Sequence, residues 1–313
     1  MNYQKHMKKT LLIFSTLCFL YSPALSQEAG ETPKNTKQQK TNHLLGAPVN
    51  VGASSNVVIP KGVLLISPNY SIREKYSSSG PGNKQTPNVD SSIFITKIRY
   101  GLADRVELRI NVPYTTFTSH APKNGPVYNR DGFGDINIMG AYQITAQKFG
   151  DPVTTIATLG VGLPTAEKGK STSVIPGNAS WSGIAKTGIR KDFNQTHRLE
   201  TELSYTLYMN EGNLDTKKGD VLMLNSQYRY MTQHNFDIGI ENIIEKTFSS
   251  EVKGRNQKDD SFSCYVGPSV NVSIPVVDMW VGAGVFAGVV NDNRQRKPVE
   301  DYRVDFKVGK FFF

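Results

Sequence analysis

Between Val106 and Val112, the apolar residues Val106, Leu108, Ile110 and Val112 alternate with Glu107, Arg109 and Asn111. A period of two marks a β-strand with one apolar and one charged face. The pattern recurs from residue 62 onward. It predicts twelve strands at 62–73, 91–101, 104–114, 132–144, 152–163, 179–190, 198–209, 220–230, 235–245, 261–273, 279–290 and 301–312. Each is about 10 to 13 residues long, enough for a tilted strand to cross a bilayer.

The links between these strands alternate in length. "LAD", "AQKFGDP", "KDFNQTH", "MTQH" and "PVVD" are short. The others, at 74–90, 115–130, 164–178, 210–219, 246–260 and 291–300, are long and rich in Gly, Lys, Asn, Asp and Ser. Outer-membrane barrels combine short periplasmic turns with longer external loops. The expected fold is therefore all-β, an antiparallel up-and-down transmembrane barrel of about 12 strands, with both termini periplasmic.

Which face meets lipid follows from charge. The apolar face carries Leu64, Ile66, Ile98, Tyr100, Ile136, Ile138, Tyr142, Leu203, Tyr205, Leu207, Ile238, Ile240, Val270, Val272, Tyr302, Val304, Phe306 and Val308. The other face carries Lys97, Arg99, Glu107, Arg109, Asp135, Lys186, Arg190, Glu200, Glu202, Arg229, Asp237, Glu241, Arg303, Asp305 and Lys307. A lipid-facing Lys or Arg at mid-bilayer costs about 2 to 4 kcal/mol, so these fifteen residues are the candidate lumen lining. Tyr70, Tyr100, Tyr114, Tyr142, Tyr208, Tyr228, Tyr230 and Trp280 are candidates for interfacial aromatic girdles. A three-residue turn at 102–104 would set Arg99 opposite Glu107. A four-residue turn would set Arg99 opposite Arg109. The first is preferred because it opposes unlike charges directly.

Composition narrows the picture. No run after residue 26 approaches the roughly 20 apolar residues of a spanning helix. Lys5, Lys8 and Lys9, the run "TLLIFSTLCFLYSPA" and "ALS" predict a signal peptide at 1–26. Residues 27–59, rich in Gln, Lys, Thr, Asn and Ser, read as a flexible periplasmic leader, with room for a short structured piece near "HLLGAPVNV". The barrel then spans 60–313. Beyond the signal, 33 basic residues face 27 acidic ones, a net of +6, and they are spread along the chain. No nucleic-acid patch is evident. Cys264 is the one cysteine past residue 26, so no internal disulfide is possible.

Few motifs carry chemistry. "GAGVFAG" at 282–288 lacks the strand–turn–helix setting of a dinucleotide site and reads as small residues relieving crowding inside the barrel. "DGFGD" at 131–135 lacks EF-hand spacing and reads as a loop-to-strand transition. His43, His120, His197 and His234 fall in the leader, a loop and short turns, away from any outer-face serine. No cofactor, metal site or catalytic residue is expected.

The stretch "RYGLADRVELRINVPY" followed by "DGFGDINIMGAYQI" resembles a bacterial outer-membrane family labelled for a MetA-pathway of phenol degradation. The likeness rests on Tyr100-Gly101-Leu102, Asp104, Glu107-Leu108, Pro113-Tyr114, Gly132, Gly134 and Asp135 and covers about residues 62–313. It implies an outer-membrane channel for small molecules, aromatic or otherwise apolar ones among them, and supplies no catalytic residue. The expected partners are outer-membrane lipid, the barrel-assembly machinery through the C-terminal strand, and a small-molecule solute. Parity along that strand points to Phe312 as its last lipid-facing residue. Two alternatives stand beside the channel. One is a closed barrel with a structural or surface-interaction role, its lumen charges paired across strands. The other is an outer-membrane lipid hydrolase.

Overall fold

The computed structural model describes residues 48–76, 88–120, 127–167, 176–194, 196–232, 235–293 and 299–313. The predicted signal peptide and residues 27–47 lie outside the described residues. Twelve spanning strands run in chain order. They are β1 (Leu64–Tyr76), β2 (Asn88–Ala103), β3 (Val106–His120), β4 in two segments (Val127–Phe133 and Asn137–Thr145), β5 (Thr154–Gly162) and β6 (Ser182–Asp192). There follow β7 (His197–Tyr208), β8 (Val221–Met231), β9 (Phe236–Thr247), β10 (Ser261–Ile274), β11 (Met279–Asn293) and β12 (Val299–Phe312). Every predicted strand overlaps one of these.

Each strand pairs antiparallel with its chain neighbours, and β12 pairs back onto β1, closing the ring. Closure leaves no edge with unsatisfied backbone groups, which a sheet in lipid requires. Side chains alternate across the wall. In β12, Tyr302 and Phe306 point outward while Arg303, Asp305 and Lys307 are buried inside. In β9, Ile238 and Ile240 are exposed on the outside while Asp237 and Glu241 are buried inside. Phe312 faces out and Phe311 in, as parity predicts.

The five short turns gather at one rim. They include one-turn 3₁₀ helices at Gln147–Phe149 and Pro275–Val277, ended by Gly150 and Asp278 in the left-handed region. At the other rim, residues 216–217, 251–252 and 255–256 form a small three-stranded sheet from two long loops. The strands also run further past that rim than polarity suggests. β3 continues to His120 and pairs with Val127–Phe133, so most of the expected 115–130 loop is ladder. Loss of the apolar face there marks the exit from lipid, not the end of pairing.

Three further expectations change. The β2–β3 turn sets Arg99 opposite Arg109 and Gly101 opposite Glu107, so the preferred register is replaced by the other one. Trp280 points inward, 4% exposed, and packs with Ile59, Val63, Leu65 and Phe311, so it is not in a girdle. Tyr70, Tyr100, Tyr142, Tyr228 and Tyr230 are exposed on the outer face. Ile136 sits in an interruption of β4 at 134–136, not on a continuous lipid-facing strand. There Gly134 donates to the Pro113 carbonyl, and a β-carbon on Gly134 would come 2.9 Å from the Pro113 ring.

Candidate functional site

Residues 48–59 do not lie outside the barrel as the end of a flexible leader. They enter its interior. From the start of β1 the chain turns at the short-turn rim, where Gly62 and Val63 donate to the carbonyls of Gly101 and Pro60, and Gly101 donates to that of Val63. It then runs back up the lumen. Val49, Asn50, Val51, Ala53, Ser55, Asn56, Val58 and Ile59 are all buried. We call this segment the plug.

A chain inside a barrel has no strand partner, so its backbone groups need side chains. The plug's amides meet acceptors on the inner wall. Val49 and Asn50 donate to the two Glu241 oxygens at 2.8 and 3.1 Å, and Val51 to Asp305 at 3.0 Å. Asn56 donates to Glu200, Val58 to Gln143 at 3.2 Å, and Ile59 to Glu107 at 2.8 Å. The plug's carbonyls meet cations. Lys97 donates to Ala53 at 2.7 Å, Arg99 to Val57 at 2.6 Å, Arg109 to Ser55 at 3.2 Å, and Lys307 to Pro48. A hydrogen bond to a charged group contributes about 1.5 to 3 kcal/mol net, so these contacts fix the segment firmly.

Glycines make room for it. A β-carbon at Gly188 would lie 1.8 Å from the Asn56 side chain. One at Gly101 would lie 2.0 Å from the Pro60 carbonyl, and one at Gly282 would meet Val49 at 3.1 Å. The "GAGVFAG" glycines thus serve packing. Gly284 in turn lies under the Phe286 ring. Apolar contacts anchor the lower end of the plug. Ile59 and Val57 join the Trp280 cluster, and Val58 packs on Ala141 and Ile156. Among the described residues, cavities of about 10 and 30 Å³ lie beside the plug, room for a water molecule or two.

Of the fifteen candidate lining residues, fourteen point into this interior and most are also tied to one another. Glu107 receives Arg99 at 2.5 Å and Arg109 at 2.6 Å. Arg229 reaches Asp237 and Glu241. Lys186 pairs with Glu202 at 3.2 Å, and Arg303 with Glu300 at 2.6 Å. Arg190 and Arg198 share Asp192 near the short-turn rim. Asp135 stands apart, in the β4 interruption. Its oxygens accept the backbone N–H groups of Ala166, Asn178 and Ala179, so it fastens a loop. Asp131, its partner in "DGFGD", accepts from Tyr114.

The charge pattern is legible from strand parity, but inward Gln143, Asn225, Gln227 and Asn271 carry no such signal, because neutral amides do not forbid a lipid-facing position so sharply. Nothing in periodicity marks 48–59, since it is held mainly through its own backbone atoms, which wall side chains meet. The sequence signals are "HLLGAPVNV" at 43–51, whose end falls in the plug, and "NVVIP" at 56–60, an apolar cluster unusual for a solvated leader.

Comparison with known proteins agrees with this architecture. A family model described as "Putative MetA-pathway of phenol degradation" matches residues 74–297. No curated protein matches in sequence. Among solved structures, an outer membrane channel from Pseudomonas putida F1 superposes with a TM-score of 0.71 at 14% identity, covering 84% of this chain and 100% of that one. The β domain of a Bordetella autotransporter, BrkA, gives 0.49 at 10% identity over 80% and 100%. The CymD monoaromatic hydrocarbon channel gives 0.39 at 9% identity over 81% and 89%. The first likeness is one of fold.

Proposed function

This chain belongs to the family described as "Putative MetA-pathway of phenol degradation", and from that premise we propose an outer-membrane channel for passive passage of small solutes, closed at rest by residues 48–59. The short-turn rim is periplasmic in this reading, so the plug enters from the periplasmic side. The carrying observation is the way the plug is held. It joins no strand ladder and is fixed by side-chain hydrogen bonds and small apolar contacts, all of which can be released without opening the barrel wall.

A solute with an apolar body fits both the family description and the inward cluster of Ile243, Tyr265 and Phe286 with Met223 beside it. Outer-membrane lipid on the outer face and the barrel-assembly machinery on β12 are the expected partners. The protein is read as a channel and not an enzyme, because its inner face is spent on holding the plug and pairing charges.

The closed structural barrel is the second reading, favoured by the ion pairs Arg229–Asp237 and Arg303–Glu300 in the interior. Planar-bilayer recording separates the two. Protein lacking residues 48–59 should conduct in steady open steps where the full chain is mostly closed. A deletion protein that folds and stays silent overturns the channel.

A further inference from the structure

The larger cavity lies against Ala53–Ser55 and is lined by Ser55, Lys97, Arg99, Arg109, Trp280 and Lys307 among others. Its lining holds four cations and no carboxylate. Glu107 neutralises part of that charge through Arg99 and Arg109, but Lys97 and Lys307 make no ion pair among the described residues. Each of the four cations instead donates to a plug carbonyl. Three buried polar atoms on the lining residues have no hydrogen-bond partner: Ser55 Oγ, Arg109 Nη1 and Trp280 Nε1. All three can donate. Trp280 Nε1 lies over Gly309, which leaves Ser55 Oγ and Arg109 Nη1 as idle donors on residues of the cavity wall, and buried basic side chains with idle donors call for an anion.

The smaller cavity, on another side of the plug, has the opposite character. Glu200, Glu202 and Glu241 line it with Asn225 and Gln227, and it holds no cation. An anion in the lumen is therefore drawn to one wall and repelled by the other. The indole of Trp280 and the side chain of Leu65 add an apolar surface to the basic wall, and Lys307 lies 4.4 Å over the indole ring.

We propose that this basic wall binds the carboxylate of a small aromatic acid, and that such binding releases the plug. The inference rests on the channel reading and names the solute class for it. A neutral carbonyl is a weaker partner for a cation than a carboxylate, whose charge-assisted bonds are roughly twice as strong. The plug carbonyls thus hold places that an anionic solute takes with gain. A cavity of about 30 Å³ admits at most the head group, so the ring must push Ala53–Ser55 aside. Solute and plug compete, and a ligand that binds only the plug-free lumen shifts the protein toward it.

The test uses the full chain with Ser54→Cys in a Cys264→Ser background, refolded in liposomes. The rate of maleimide labelling at position 54 reports plug release. Replacing chloride by benzoate at constant ionic strength should raise that rate about tenfold, within the range of ordinary allosteric coupling. Benzyl alcohol, of the same shape without the charge, should leave it unchanged. Lys97→Gln should blunt the benzoate response while the heat-modifiable band shows a folded barrel. An equal response to both compounds, or none to benzoate, overturns the proposal. The channel reading fails separately, if protein lacking 48–59 does not conduct whatever benzoate does.

Discussion

Arg99 and Arg109 stand directly opposite each other on β2 and β3, two like charges on one inner face, and both reach the same carboxylate, Glu107. Directly opposed residues have α-carbons about 4.5 to 5.5 Å apart, which suits a disulfide. Cysteines at 99 and 109 in a Cys264→Ser background should therefore crosslink efficiently on oxidation. Cysteines at 99 and 107, one pleat out of register, should not, and a strong 99–107 crosslink would show that the hairpin has slipped.

The same convergence makes Glu107 the costly residue of the trio. Glu107→Gln leaves two buried guanidiniums without their carboxylate. Removing one partner of a buried ion pair costs about 3 to 5 kcal/mol. The heat-modifiable band on a denaturing gel should be lost at a clearly lower temperature than in wild type. Arg109→Gln should shift it less, because Glu107 keeps Arg99.

Why did the strands show in the sequence when this register did not? Strand existence rests on period two, and lipid on one side with a polar interior on the other makes that period strict. Direct opposition of charge favours the other register. Arginine is long, and Arg99 reaches Glu107 diagonally across the ladder. The observed pairing also sets Gly101 opposite Glu107. With no side chain there, Pro60 passes over Gly101 while Ile59 donates to Glu107. This register thus also accommodates a contact from the plug, which lies 48 positions away and outside any strand pattern. In the same way, parity sets the charged residues on one face of each strand, while Asp135 escapes it because the strand breaks around Gly134.

Leu108 and Arg109 are neighbours with opposite fates. Leu108 lies on the outer face, and Arg109 is buried inside. Leu108→Arg should cost about 2 to 4 kcal/mol if the position lies near mid-bilayer, seen as a drop in the denaturant midpoint of the folded band. Arg109→Leu should still assemble. If Arg109→Leu were the one that lost the folded band, the lipid face would have been assigned to the wrong side.

The seat of the plug can be tested through one missing methyl group. Asn56 is fully buried, and its side chain donates to the Thr201 carbonyl at 2.9 Å and to that of Ile189 at 3.5 Å, directly above Gly188. A β-carbon at Gly188 would overlap the Asn56 amide at 1.8 Å. The wall is held by ladders to β5 and β7, whereas the plug is held by side chains, so the plug is the part that must yield. Overpacking of this kind costs about 1 to 3 kcal/mol, which here falls on the seated state. Gly188→Ala should thus leave a folded, heat-modifiable barrel whose residues 48–59 are cut faster by added protease. Gly140→Ala is the matched control, since a β-carbon there meets nothing within 4 Å. Equal protease sensitivity of the two variants would mean that Asn56 does not sit over Gly188.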